Sequence, residues 1–292
     1  MLPPGFTLLP LSKPGKEAIL HHAPNADYLL VGGRVKIDRD ILDAATHLKM
    51  VQRTGVGLDS LDLDSLKERN IPVCVNAGVN SRSVAEHTML LILSVLRRLP
   101  LVDQSVKSGE WKKHELGIRC NDLYGKAVGL IGLGSIGSKV AQMLQPFGVR
   151  VLYHVRTRLD IESEQKMGIT HSGFEDLLER SDIVSLHCPL TPKTEGLIDA
   201  QAFSLMKKGV ILINTARGGL IDEPSLLENL RTGHVRGVGF DVFAAEPIPK
   251  DSELLTYPNA VFTPHMSGLT IETFRSMMSA ALENISKFEV DE

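Results

Sequence analysis

Cysteine is scarce in this chain: Cys74, Cys120 and Cys188 are the whole supply among 292 residues. They stand far apart and form no C-x-x-C pair, which argues against a disulfide framework or a cysteine metal site and predicts reduced thiols in the interior. Net charge is also nearly absent, at -3, so nothing in the balance points to nucleic acid or an anionic membrane as partner. Long apolar runs are missing. The longest, TMLLILSVL at 88–96, is bracketed by His87 and Arg97 and falls far short of the ~20 residues of a membrane span. The first residues hold no basic segment followed by an apolar stretch, so no secretory signal is read there. Internal repeats and low-complexity tracts are lacking too. With 43% hydrophobic and 23% charged residues, disorder, collagen and coiled coil are excluded, and a soluble, cytoplasmic globular protein is expected.

What is present fits about two domains, on a prior of roughly 100–200 residues each. From residue 27 onward, short runs rich in β-branched residues alternate with amphipathic segments. Strands are predicted at 27–31, 49–52, 72–75, 127–131, 149–153, 183–187, 210–214, 238–240 and 260–263. Most are continuously apolar, as strands of a parallel sheet covered on both faces must be. Helices are predicted at 41–48 with Asp38 as cap, and at 223–232 after Asp222 with Gly233 beyond its end. Segment 83–99 reads as a long helix closed by Pro100, bridging an N-terminal α/β unit and a larger second one. Repeated strand–helix–strand units predict a doubly wound α/β architecture.

The segment 127–144, AVGLIGLGSIGSKVAQML, sets Gly132, Gly134 and Gly137 in G-x-G-x-x-G spacing between a strand and an amphipathic helix. Gly132 permits the tight turn, Gly134 lets backbone approach a pyrophosphate, and Gly137 lets the helix pack close to the strand. The helix N-terminus offers unpaired N–H groups to phosphate. A carboxylate about 20 residues on would select NAD. Here VRVLYHVRTR at 149–158 puts Val155 at that place, followed by Arg156 and Arg158. A missing carboxylate beside guanidinium groups favours NADP(H), with NAD the alternative.

Three later segments carry chemistry at strand ends. Arg217 follows a strand within NTARGG (214–219), Asp241 and Glu246 lie in DVFAAEP (241–247), and His265 lies in TPHMSG (263–268). Histidine suits acid–base work near neutrality, a carboxylate beside it favours its protonated ring, and arginine gives a planar fork matching a carboxylate. Spacing alone does not say that the three meet.

The ordered set RTGVGLDSLD (53–62), NSRSVAEH (80–87), the glycine motif, HCPLTPKTEGLI (187–198), NTARGG, DVFAAEP and TPHMSG resembles the D-isomer-specific 2-hydroxyacid dehydrogenases. That group includes D-3-phosphoglycerate dehydrogenase and glyoxylate/hydroxypyruvate reductase. The resemblance implies a Rossmann-type doubly wound domain (81–266) and a smaller flavodoxin-like α/β substrate domain (1–80 plus 267–292), with a hinge between them. It implies hydride transfer between NAD(P)H and a small 2-keto or 2-hydroxy acid, without a metal, with Arg217, Glu246 and His265 as the triad and His265 as proton donor. It places Ser135 and Ile136 at the pyrophosphate and Thr215 and Ala216 at the nicotinamide. Asp241 looks like the holder of the carboxamide, and Cys188, Pro189 and Thr191 join the cofactor set. Backbone amides of Val56 and Gly57 resemble a cradle for the substrate carboxylate, and by analogy the chain is a homodimer.

Two cues to substrate conflict. Arg53 and Arg82 sit where phosphoglycerate dehydrogenases reach a substrate phosphate, whereas the VRTR segment resembles NADPH-preferring glyoxylate and hydroxypyruvate reductases. The first strand–helix unit of the family looks cut short here, and no serine-sensing extension follows the helix expected at 276–288. The rival readings are a phosphite-type dehydrogenase and a non-catalytic dinucleotide sensor of the same fold.

Overall fold

The structure, a computed structural model, describes residues 5–13, 15–33 and 35–291, the side chain of Asp291 excepted. It divides into two compact units, Met1–Asn80 with Leu269–Glu292 and Ser81–Gly268.

In the smaller unit, β1 (Tyr28–Val31), β2 (Met50–Arg53) and β3 (Val73–Val75) pair in parallel in that order. The Asp38 carboxylate caps the helix Arg39–Ala44 by accepting the amide of Ile41 at 3.3 Å. The helix stops at Ala44 and not at the expected residue 48, because Ala45 leaves helical geometry at ψ 63°. Ile37, Ile41, Leu42, Val51 and Leu66 form the core beneath. The helix Ile271–Asp291, longer than the sequence suggested, belongs to this unit. Asn76 Nδ2 donates to the carbonyl of Met277 at 2.8 Å, and Lys49 pairs with Glu289 at 3.1 Å.

The larger unit holds seven parallel strands: β4 (Ala127–Ile131), β5 (Arg150–His154), β6 (Ile169–His171), β7 (Ile183–Leu186), β8 (Val210–Asn214), β9 (Val235–Phe240) and β10 (Ala260–Phe262). Their order is β10-β9-β8-β7-β4-β5-β6. Strand order therefore reverses between β4 and β7, the crevice where ligands of open parallel sheets bind. In β8, Ile211 and Ile213 face one apolar layer while Val210 and Leu212 face the other. Both faces are covered, which is why the strand reads as an unbroken apolar run. The sequence pattern missed β6, whose three residues ITH carry no apolar run, and started β9 three residues late.

The long helix differs from expectation at its C-terminal end. It spans Ser81–Leu96, starts at the first residue of the larger unit, and shares a buried cluster there with Val140, Ala141, Ile211 and Ile213. Pro100 does not close it. Arg98 adopts a left-handed φ of 51°, and Pro100 sits in the first turn of a new helix, Leu99–Lys107, where its missing N–H breaks no intrahelical bond. The three thiols are free but only half-buried, less enclosed than predicted. No helix among the described residues is long and apolar enough to cross a membrane.

Candidate active site

The glycine turn leaves β4 at the point where strand order reverses. Gly132 has φ 99°, and a Cβ there would lie 2.6 Å from the carbonyl carbon of His187. Only glycine fits, because the neighbour is backbone that follows β7. Gly137 is buried with its missing Cβ 2.4 Å from the Gly132 carbonyl oxygen, so the helix Ser135–Leu144 rests directly on the turn. Gly134 is different. It is exposed, caps that helix without a side-chain hydrogen bond, and a Cβ there would meet no protein atom within 4 Å. The turn with the first-turn amides of Ser135 and Ile136 is thus an open cradle of backbone donors, which fits a dinucleotide pyrophosphate.

His187 supports the turn from below. Its Nε2 lies 2.9 Å from Ser185 Oγ, and burial pushes its pKa down to about 4, so the ring is neutral at pH 7. Cys188 is half-buried on the same segment, and burial raises its thiol. Pro189 and Thr191 lie in the turn that follows, where the Thr191 amide donates to Thr194 Oγ1 at 2.8 Å.

At the end of β5 the two arginines part company. Arg158 donates from Nε and Nη2 to both oxygens of Glu164, at 2.7 and 2.8 Å. The buried Tyr153 hydroxyl donates to the same carboxylate at 2.6 Å. The Arg158 guanidinium first, then the Tyr153 hydroxyl, hold the Glu164 carboxyl down at about 2. Arg158 is therefore committed to protein, while Arg156 is exposed and enters no ion pair among the described residues. Val155 is half-buried between the strand and Arg156. Sequence reasoning missed Glu164, which lies on a helix capped by Asp160 and carries no local signal of its role.

The chemistry-bearing loops follow β8, β9 and β10, side by side in the sheet. After β8, the buried Asn214 staples its turn: its Oδ1 accepts the Ala216 amide and its Nδ2 donates to the Arg217 carbonyl, both at 2.9 Å. Arg217 is half-buried in that turn. Gly218 next to it touches the backbone of Phe243, where a Cβ would lie 1.9 Å from the carbonyl carbon. Loop β8 therefore abuts loop β9. In loop β9, the Phe243 amide donates to Glu246 Oε1 at 3.0 Å, aiming the carboxylate. Its other oxygen, Oε2, lies 2.7 Å from Nδ1 of His265. Nδ1 is thus engaged, and Nε2 is the ring atom open to a substrate. His265, Glu246 and the Arg217 turn are brought to one end of the sheet.

Asp241, which the resemblance assigns to the carboxamide, anchors the loop after β10. It is fully buried, and its carboxylate accepts from the Thr263 hydroxyl and from the amides of Met266 and Ser267. The helix Ser81–Leu96 reaches this region with two consecutive residues to which the sequence analysis gave no role. His87 Nε2 lies 2.9 Å from Thr263 Oγ1, and Thr88 Oγ1 lies 3.0 Å from Thr215 Oγ1.

The substrate candidates fall in both units. Arg53 is 6% exposed, donating from Nε to the Gly57 carbonyl at 2.8 Å and from Nη1 to that of Gly32. Its guanidinium thereby shapes the loop holding Val56 and Gly57. Val56 is exposed. Arg82 stands exposed in the larger unit, 3.7 Å from Glu86, beside Lys139, Gln142 and Met143.

Comparisons with known proteins identify the family. The family described as "D-isomer specific 2-hydroxyacid dehydrogenase, NAD binding domain" matches residues 89–267. The chain is 41% identical over 263 residues to a D-3-phosphoglycerate dehydrogenase of Bacillus subtilis (strain 168), covering 90% of this chain and 49% of that protein. It is 38% identical over 280 residues to a glyoxylate reductase of Aeropyrum pernix, covering 94% of this chain and 83% of that one. Among solved structures, D-lactate dehydrogenase from Aquifex aeolicus, complexed with NAD and lactic acid, superposes with a TM-score of 0.85 at 30% identity, over 93% of this chain and 85% of that one. The chain spans about half the length of the phosphoglycerate dehydrogenases it matches.

Proposed function

We propose, since the chain belongs to the D-isomer specific 2-hydroxyacid dehydrogenase family, that it interconverts a small 2-keto acid and its 2-hydroxy acid with a nicotinamide dinucleotide. The observation that carries this reading is the 2.7 Å contact between His265 Nδ1 and Glu246 Oε2, beside the Arg217 turn and in one unit with the glycine cradle.

The backbone at Gly132, Gly134, Ser135 and Ile136 would hold the pyrophosphate, and the loop around Thr215 and Ala216 the nicotinamide. A bound reduced nicotinamide supplies the hydride. His265 donates a proton from Nε2 to the keto oxygen, with Glu246 accepting from Nδ1 and so partnering the positive ring. Arg217 neutralises charge growing on that oxygen, a contribution of about 3 kcal/mol for one well-placed donor. We assign the smaller unit to the keto acid, through the amides of Val56 and Gly57.

We read the preferred coenzyme as NADP(H). Support comes from the lack of a carboxylate at the end of β5 and from the exposed Arg156, while Arg158 is held by Glu164. The inward Arg53 weakens the case for a phosphorylated substrate and tilts the reading toward glyoxylate or hydroxypyruvate. A cytoplasmic homodimer completes the proposal. The exposed Trp111, Ile118 and Tyr124 supply apolar surface for a second copy, and sedimentation of the purified chain tests it.

The deciding experiment follows NADPH and NADH oxidation with glyoxylate, hydroxypyruvate and phosphohydroxypyruvate. Turnover of the first two with NADPH is expected. Tight dinucleotide binding with no turnover of any keto acid would leave the dinucleotide-sensor reading in its place.

A further inference from the structure

The turn that presents His265 is anchored on one buried residue. The carbonyl of Asp241 accepts the His265 amide at 2.8 Å, and its two carboxylate oxygens accept the amides of Met266 and Ser267 at 2.9 and 2.8 Å. Three consecutive amides therefore converge on Asp241, and the chain between them puts His265 at φ 52°, a left-handed conformation costly for a residue with a Cβ. Such strain persists only where the surroundings over-determine it.

The surroundings are a polar chain. The Thr263 hydroxyl donates to Asp241 Oδ1 at 2.5 Å. A hydroxyl carries one proton, and this one is used, so the 2.9 Å contact with His87 requires His87 Nε2 to bear a hydrogen and donate it. The order is then His87 to Thr263 to Asp241. Within 4 Å of the Asp241 carboxylate, His87 at 3.8 Å is the only group among the described residues able to carry positive charge. His87 is 13% exposed at its side chain and is fixed by the rigid helix Ser81–Leu96.

We propose that His87 and Thr263 are positioning residues for the proton donor. They act through Asp241 to hold the 265–267 turn, and with it the direction of His265 Nε2. The imidazole then has two anchors, Glu246 on the ring and Asp241 on the backbone, and loss of the second lets the donor atom drift. A misplacement near 1 Å can cost on the order of 100-fold in rate. The inference rests on the proposed role of His265 as acid.

The test uses the full chain with Thr263→Val, Thr263→Ser, His87→Leu and His87→Gln. Serine keeps the hydroxyl and glutamine keeps an Nε2 donor. The valine and leucine variants should lose about 10- to 100-fold in kcat, with keto-acid KM and dinucleotide Kd within about threefold. The serine and glutamine variants should return to within about threefold of the parent. Hydrogen exchange at residues 265–267 should quicken about tenfold or more in Thr263→Val, with distant segments unchanged. An unaltered kcat in both valine and leucine variants overturns the proposal. So does a loss that falls on dinucleotide Kd instead, which would assign the Asp241 carboxylate to the coenzyme. Should the parent turn over no keto acid, the functional reading fails by itself, and exchange still decides whether Thr263 and His87 hold the turn. Melting temperatures identify a variant that fails to fold, and the other residue's pair then stands in for it.

Discussion

The two halves of the seven-stranded sheet are built on different principles. Around β4 and β5 the dinucleotide cradle is made by omission: side chains are left out at Gly132, Gly134 and Gly137, so that backbone packs on backbone at the first and last and the middle position stays open. Around β8, β9 and β10 the acid–base loops are made by buried polar side chains. Asn214 staples one turn, Asp241 another, and the helix Ser81–Leu96 supports both through His87 and Thr88. Thr88 donates its hydroxyl proton to the Val84 carbonyl at 2.8 Å, so it is Thr215 that must donate to Thr88. The turn leaves no room for a side chain at Gly132 and Gly137 and stays open at Gly134, whereas the acid–base half is held by buried hydrogen bonds.

The contrast can be broken first where its effect is largest. Arg217→Ala and His265→Ala should each cut turnover at least about 100-fold in steady-state assays and leave dinucleotide Kd within about threefold. Near-normal turnover in purified His265→Ala would refute the assignment of the acid.

On the cradle side, two neighbouring substitutions should separate fold from binding. Gly132→Ala forces a Cβ into the His187 backbone at φ 99° and should lower the melting temperature by several degrees. Gly134→Ala meets no protein atom, so the melting temperature should hold while dinucleotide Kd rises about tenfold, since the added methyl intrudes on the cradle. Equal effects at the two positions would show that the turn has no open side.

A smaller effect is expected at the end of β5. Val155→Asp should move the NADPH/NADH preference toward NADH by about tenfold, by repelling a 2′-phosphate and accepting ribose hydroxyls. Glu164→Gln, which loosens Arg158, should move it the other way by a few-fold. A ratio unmoved by both would remove Arg156 and Arg158 from coenzyme selection.

The least of the expected changes is in acid stability. His187 has its pKa lowered to about 4 in the fold against 6.5 for an ordinary histidine, so the unfolded chain binds the proton first. Stability is unaffected by this ring above pH 6.5 and falls as pH drops from there toward 4. The residue keeps some exposure, so the loss is on the order of 1 kcal/mol. His187→Asn should flatten that part of a denaturation profile taken between pH 7 and 4, and an unchanged slope would place the ring in contact with water.

Legibility in the sequence followed the same division. The glycine cradle was readable because strand, turn and helix are contiguous and their spacing is the geometry. Arg217, Glu246 and His265 were nameable as residue types at strand ends, and family resemblance grouped them, but spacing said nothing of their meeting. His87, Thr263, Asn214 and Glu164 went unread in these roles, since each acts through a partner elsewhere in the fold. His87 and Thr263 are 176 positions apart. The hydrogen bonds of Arg53 and Asp241 to backbone groups were equally unreadable, since the resemblance gave both residues a ligand and spacing gave them no partner within the chain.

By itself, then, the sequence determined the alternation of apolar runs with amphipathic segments, hence the parallel sheet, and the glycine turn at residues 132–137, where no side chain fits at Gly132 or Gly137. Local sterics and burial set those, and both act over a few residues. Tertiary structure alone decided which charged groups are held by protein partners, Arg158 and Arg53 against Arg156, and how His265 is aimed. Those outcomes depend on partners that only the packing of strands and helices brings within hydrogen-bond reach.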